Sequence, residues 1–119
     1  MEHAKSALLI DDTKLNLMFM KSLLNLMGVS NIYIAENAID GVSIALDKNP
    51  DIIFCDLFMP IHTGEDFIKF LEIANLKIPV IILTVLLDKN YQDRLIKKSI
   101  RILEKPINKI KLKEILDSL

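Results

Sequence analysis

Residues 52–60 of the chain read IIFCDLFMP. The first five of these residues form an unbroken apolar run that ends on an aspartate. Such a run is typical of a strand that is buried on both faces of a parallel sheet. Similar runs occur elsewhere in the chain: ALLID at 7–11, IYIA at 32–35, VIILT at 80–84 and ILEK at 102–105. The sequence therefore predicts five strands.

The longer segments that separate and follow these runs have the apolar spacing of amphipathic helices. The predicted helices are 14–27, a second one that ends before Pro50, a third from about Gly64, a fourth over 89–99 and a fifth from the N-cap residue Asn108. Their predicted buried faces are Leu17, Met20, Leu24 and Met27; Ala38, Val42, Ala45 and Leu46; Phe67, Ile68 and Leu71; Tyr91, Leu95 and Ile96; and Leu112, Ile115, Leu116 and Leu119. This alternation predicts an α/β fold, a doubly wound five-stranded parallel sheet with five helices on its two faces.

The composition limits the classes of protein that this chain can belong to. Its 119 residues are 51% hydrophobic and 26% charged, which predicts one globular domain over 1–119. The apolar runs are too short to cross a membrane, and the start of the chain has no secretory signal, so we expect a cytoplasmic protein. A net charge of −1 argues against direct nucleic-acid binding. The lone Cys55 predicts a buried thiol, and the isolated His3 and His62 predict surface side chains.

Polar residues end several of the predicted strands. Asp11 and Asp12 follow the first strand, Asp56 ends the third, Thr84 ends the fourth and Lys105 ends the fifth. The carboxyl ends of parallel strands meet at one edge of a sheet, where doubly wound folds place their functional crevice. Three carboxylates at that edge would repel one another, so we expect a positive ion to lie among them. Mg²⁺ is the natural candidate, because it prefers a few carboxylate oxygens together with waters and phosphate oxygens.

These motifs together resemble the receiver domains of two-component response regulators. The similarity lies in LLIDD at the first strand, DLFMP followed by Gly64, Thr84 after an apolar strand, and the Lys105–Pro106 pair. These motifs occur in the family's order and at the family's spacing along the whole chain. The resemblance implies the flavodoxin-like strand order 2-1-3-4-5.

The resemblance also implies roles for individual residues. Asp56 corresponds to the phosphoacceptor, Thr84 to the switch hydroxyl, and Lys105 to the phosphoryl-binding ammonium. The implied Mg²⁺ ligands are Asp11, Asp12, Asp56 and the backbone carbonyl of Phe58. The family usually has a cis peptide bond before the residue that corresponds to Pro106. A receiver domain is not a metabolic enzyme, because it assists only its own phosphorylation and dephosphorylation.

The partners follow from the same resemblance. A histidine kinase or a histidine phosphotransfer protein is expected to donate the phosphoryl group. An unknown downstream protein is expected to bind the face formed by the fourth helix, the fifth strand and the fifth helix, and the chain itself to be a monomer or a weak homodimer. Residues 97–113 contain seven basic residues and one acidic residue, which predicts an acidic partner for this face.

Several positions differ from the usual receiver pattern. Ile102 stands where the family commonly has an aromatic residue or histidine, so a rotating ring cannot relay the signal. Val85 stands where a small residue is usual, and it is expected to narrow access to Asp56. The residues that flank the path of the hydrolytic water in the family are here Phe58 and Leu86. Both are apolar, which predicts slow loss of the phosphoryl group.

Three other functions compete with that of a phosphoacceptor. A receiver-like interaction module that no longer uses phosphorylation is favoured by Ile102 and Val85 and opposed by the complete set of site residues. An aspartate-nucleophile phosphatase needs a D-x-D motif after the first strand, which DDT at 11–13 does not provide. A flavodoxin-like flavin binder needs a phosphate-cradling loop there, and Asp11 and Asp12 would repel the phosphate.

Overall fold

The computed structural model describes residues 5–85 and 88–119. Its strands are β1 Ser6–Ile10, β2 Asn31–Ala35, β3 Ile52–Asp56, β4 Val80–Thr84 and β5 Arg101–Glu104. Its helices are α1 Lys14–Leu26, α2 Ala38–Lys48, α3 Gly64–Ile73, α4 Lys89–Lys97 and α5 Lys109–Asp117. Leu86 and His3 lie outside the described residues. Within them, no helix has both the length and the apolar character that a membrane crossing requires.

The described strands form one parallel sheet in the order β2-β1-β3-β4-β5. This confirms the predicted fold class and strand order. The register pairs Ile10 with Cys55, Asp56 with Leu83, and Thr84 with Glu104. The strands therefore end nearly level, and the residues that follow them meet at one edge of the sheet.

Alternating residues of the central strands pack into two cores on opposite faces of the sheet. Leu9 and Phe54 face α1 and α5, whereas Leu8 and Ile53 face the other helices. All four side chains are buried, which explains why these strands are apolar without a break. The thiol of Cys55 is buried, as predicted. His62 is half-buried, because its ring packs edge-on against Phe70.

Three residues assigned to buried helix faces are exposed, and those assignments were wrong. The inner face of α2 consists of the small residues Ala38, Gly41 and Ala45, so Leu46, one position further on, turns to solvent. Ile96 is displaced in the same way by its buried neighbour Leu95. Leu119 lies beyond the end of α5 at Asp117 and is partly exposed.

Local capping explains where several helices begin. Asn108 accepts hydrogen bonds from the backbone N–H groups of Ile110 and Lys111, as predicted for an N-cap. Thr63 and Asp66 form a reciprocal capping box at the start of α3.

The Lys105–Pro106 peptide bond is cis, in agreement with the resemblance.

Candidate functional site

The loop after β1 holds Asp11 in place. Asp11 is buried, and its backbone N–H donates to the carbonyl of Ala35 across 3.1 Å. Its carboxylate Oδ1 accepts a hydrogen bond from the backbone N–H of Thr13 at 2.9 Å. The neighbouring Asp12 is exposed. This loop therefore presents one fixed, buried carboxylate and one solvated carboxylate at the carboxyl edge of the sheet.

The loop after β3 folds back closely over the backbone of Asp56. The N–H of Gly64 donates to the carbonyl of Leu57 at 2.8 Å. A Cβ atom at Gly64 would lie 2.9 Å from the Asp56 carbonyl oxygen and 2.8 Å from Ile82 Cδ1. Only glycine fits there, so Gly64 permits the close approach that places the Asp56 carboxylate at the edge.

These loops bring three carboxylates together. Oxygen atoms of Asp11, Asp12 and Asp56 all lie within 4.8 Å of one another. In a magnesium octahedron, adjacent ligand oxygens are about 3 Å apart and opposite ones about 4 Å apart. The three residues could therefore hold a metal ion, and their carboxylate oxygens are the donor type that Mg²⁺ prefers.

Lys105 lies between two of these carboxylates. Its ammonium Nζ is 3.2 Å from Asp56 Oδ1 and 3.4 Å from Asp11 Oδ2. Burial raises the pKa of Asp56, Lys105 acts to lower it, and the charge of Asp11 raises it further. The net shift is upward, because one ammonium does not compensate for burial and for the neighbouring carboxylates.

Thr84 places a hydroxyl at the end of β4. The side chain is 2% exposed, and its Oγ1 has no hydrogen-bond partner among the described residues. A buried hydroxyl without a partner costs about 1–3 kcal/mol, so native proteins seldom leave such a group unpaired without a functional or structural reason. The backbone N–H of Lys105 donates to the Thr84 carbonyl at 2.7 Å, which keeps the two residues side by side.

The residues that depart from the receiver pattern differ in their surroundings. Val85 is 59% exposed, so its side chain points mainly to solvent. Ile102 is half-buried and packs against the apolar cluster on the α3 and α4 side of the sheet. Phe58 is 52% exposed, and its ring makes an edge contact with the ring of Tyr91, with centroids 6.2 Å apart.

The contact between Tyr91 and Glu65 could not be predicted from the sequence. The Tyr91 hydroxyl donates to Glu65 Oε1 at 2.9 Å, across a separation of 26 residues. The sequence pattern contains no signal for such a contact, because its two residues lie in different predicted helices and Tyr91 has the spacing of an ordinary buried-face residue.

Comparisons with known proteins identify a matching family, similar sequences and similar structures. The response regulator receiver domain family matches residues 7–117. Over 76 residues, or 63% of the chain, the sequence is 38% identical to hybrid signal transduction histidine kinase E of Dictyostelium discoideum, and the aligned region is 4% of that protein. The chain thus spans a small part of that relative. It is also 27% identical over 93 residues to the polar-differentiation response regulator DivK of Brucella anthropi, covering 76% of this chain and 75% of DivK.

A solved structure is similar over nearly the whole chain. The Francisella response regulator 1452 receiver domain superposes with a TM-score of 0.84 at 25% identity, covering 96% of this chain and 94% of that one.

Proposed function

This chain belongs to the response regulator receiver domain family, and we propose that it accepts a phosphoryl group on Asp56 and thereby switches the binding of a partner protein. One observation carries the proposal. The Asp56 carboxylate lies within 4.8 Å of two further carboxylates and 3.2 Å from the Lys105 ammonium, and Thr84, with its buried hydroxyl, ends the neighbouring strand β4. These groups suit a carboxylate that receives a phosphoryl group.

Asp11, Asp12, Asp56 and the backbone carbonyl of Phe58 would hold Mg²⁺. When bound, the ion supplies positive charge that offsets the negative charge of the phosphoryl oxygens.

The transfer itself is a displacement at phosphorus. A carboxylate oxygen of Asp56 forms a bond to the phosphorus of a phosphohistidine, the phosphorus–nitrogen bond breaks, and its electron pair stays on the imidazole nitrogen, which takes up a proton. The Lys105 ammonium contacts a phosphoryl oxygen, and the Thr84 hydroxyl donates a hydrogen bond to another. The product is an aspartyl phosphate.

The phosphodonor would be a histidine kinase or a histidine phosphotransfer protein. An apolar surface lies beside the site on α1, where Leu15, Met18 and Phe19 are exposed. Phe19 also lines a cavity of about 210 Å³ that reaches Lys105. Exposed apolar side chains beside a reactive group mark a contact surface, and this one suits an apolar helix of the donor.

A phosphorylation-independent interaction module is the second candidate function. It is favoured by the aliphatic Ile102, which has no polar tip to follow a phosphoryl group. It gives no reason for the buried hydroxyl of Thr84 to lack a partner among the described residues.

Intact mass after incubation with acetyl phosphate, with and without Mg²⁺, tests the proposal. We expect one phosphoryl adduct that requires Mg²⁺ and is absent from Asp56→Asn. Asp47→Asn removes an exposed carboxylate far from the site and should keep the adduct. An adduct that persists in Asp56→Asn, or its absence from the native protein, would contradict the proposal.

A further inference from the structure

Three side chains of the α4 segment converge on one carboxylate of α3. Glu65 Oε1 accepts the Tyr91 hydroxyl at 2.9 Å and lies 3.3 Å from the Arg94 guanidinium. Glu65 Oε2 lies 3.3 Å from the Lys98 ammonium. Tyr91, Arg94 and Lys98 are three and four residues apart, so they share one face of the helix, and that face is turned towards α3.

Glu65 is well suited to receive these contacts. Its side chain is 15% exposed and lies in the first turn of α3, where the helix dipole favours a negative charge. Partial burial acts to raise the pKa of Glu65, but the hydrogen bonds from Tyr91 and Lys98 and the positive charges outweigh it, so the pKa is lowered. The carboxylate therefore stays ionised and keeps its donors.

Tyr91 also contacts the loop that follows Asp56. The rings of Tyr91 and Phe58 pack in a T-shaped arrangement with centroids 6.2 Å apart, and the Arg94 guanidinium lies 4.4 Å from the centroid of the Tyr91 ring. Phe58 is two residues after the phosphoacceptor, and its carbonyl belongs to the proposed metal site. Tyr91 is thus the residue of α4 that connects the acidic site, through Phe58, with the anchor on α3.

The usual receiver relay is not available in this chain. Ile102 occupies the relay position on β5, and its aliphatic side chain is packed in the cluster that also contains Tyr91 and Leu95. It cannot form a hydrogen bond that follows Thr84. A signal from the site to α4 needs another contact between the two.

We propose that Tyr91 is a positioning residue that couples α4 to the phosphoacceptor site, with Phe58 as its contact at the site and Glu65 as its anchor. This inference rests on the proposed function. Occupation of the site draws the backbone of Phe58 towards the ligand, the edge contact with Tyr91 changes, and α4 shifts relative to its anchor on Glu65. Because coupling is reciprocal, the position of α4 in turn biases occupation of the site.

Amide chemical shifts of residues 88–98 test this coupling when Mg²⁺ and beryllofluoride, a phosphoryl mimic, are added to the full chain. We expect a clear response in the native protein. In Tyr91→Leu the response should fall by about threefold or more, since the coupling depends on the ring. Tyr91→Phe keeps the ring contact and should retain most of the response.

Further variants distinguish the Tyr91 contact from a general effect of side-chain loss and from a relay through β5. Tyr33→Leu removes the other tyrosine, which lies on β2, and Ile102→Val shortens the side chain at the usual relay position; both should keep the native response. Glu65→Gln weakens the anchor without removing the ring, so the amides of α4 should exchange about tenfold faster without the mimic. If Tyr91→Leu unfolds α4, the exchange of the α4 amides in Glu65→Gln still tests whether Glu65 anchors the helix.

The outcomes separate the inference from the proposed function. A native-sized response in Tyr91→Leu, an equal loss in Ile102→Val, unchanged exchange in Glu65→Gln, or mimic binding without any response of α4 would overturn the coupling alone. Failure of the native protein to bind the mimic would contradict the proposed function, and the coupling would fall with it.

Discussion

At the scale of single residues, ionisation of Asp56 lowers the free energy of unfolding of the metal-free protein. Burial raises the pKa of Asp56 above its ordinary value of 3.8, with Lys105 opposing and Asp11 adding to the rise. The folded protein therefore holds this proton at pH values where the unfolded chain has lost it. Stability falls as the pH rises from 3.8 through the folded-state pKa, and it stays lower above that pKa.

Asp56→Asn is accordingly expected to be more stable than the native protein at pH 7 without metal, by a few degrees in Tm. The difference should shrink as the pH falls towards 3.8. Thermal unfolding in chelator at neutral and acid pH measures this, with Asp47→Asn as the control for loss of an exposed charge. Equal stability of Asp56→Asn and the native protein at pH 7, or a difference between them that widens on acidification, would contradict a raised pKa of Asp56 in the folded protein.

The Phe58 side chain is expected to slow the loss of the phosphoryl group. Its half-exposed ring, which packs against the ring of Tyr91, is apolar and cannot orient a water or accept its proton. Phe58→Asn should shorten the lifetime of the aspartyl phosphate by about tenfold or more, since acid–base help is worth 10² to 10⁴ in rate. The time course of adduct loss by mass measures it. Leu26→Asn, which changes an exposed apolar residue at the last position of α1, should leave the lifetime unchanged; equal lifetimes in all three proteins would rule out shielding by Phe58.

At the scale of elements, the loop between β3 and α3 depends on Gly64. Gly64→Ala would push a methyl group against the Asp56 carbonyl and Ile82, and overpacking of this kind costs about 1–3 kcal/mol. We expect both the free energy of unfolding and the rate of phosphorylation to fall. Gly28→Ala, where φ is +92° far from the site, should lower stability alone. A Gly64→Ala variant that is phosphorylated at the native rate would show that the loop can adjust without moving Asp56.

At the scale of the whole molecule, the basic face over residues 97–113 is smaller than the sequence suggests. Lys105 turns into the site and Lys98 pairs with Glu65. Lys97, Lys109 and Lys111 are exposed and form no ion pair within the part of the chain that the structure describes. In a symmetric dimer through this face, these like charges would approach one another.

Self-association through this face is therefore expected to be weak at low ionic strength and to strengthen with salt, which screens the repulsion. Sedimentation velocity at low and high salt measures it. Lys109→Glu with Lys111→Glu should remove the salt dependence, whereas Lys69→Glu with Lys77→Glu, outside this face, should retain it. A native dimer that dissociates as salt is added contradicts this prediction.

The fold class and the set of residues at the carboxyl edge could be predicted from the sequence. Unbroken apolar runs indicate strands that are buried on both faces of a sheet. Because parallel strands bring their carboxyl ends to the same edge, Asp11, Asp56 and Lys105 could be placed together from the sequence. The strand order came from the resemblance to a family, because periodicity does not encode which strands are neighbours.

The contacts between side chains of different elements could not be predicted from the sequence. The contacts of Glu65 with Tyr91, Arg94 and Lys98 join residues that are 26, 29 and 33 positions apart. The exposure of Leu46 likewise depends on how α2 is rotated against the sheet. Such contacts depend on the distance and rotation between packed elements, which result from the fit of many side chains at once and leave no local pattern in the sequence.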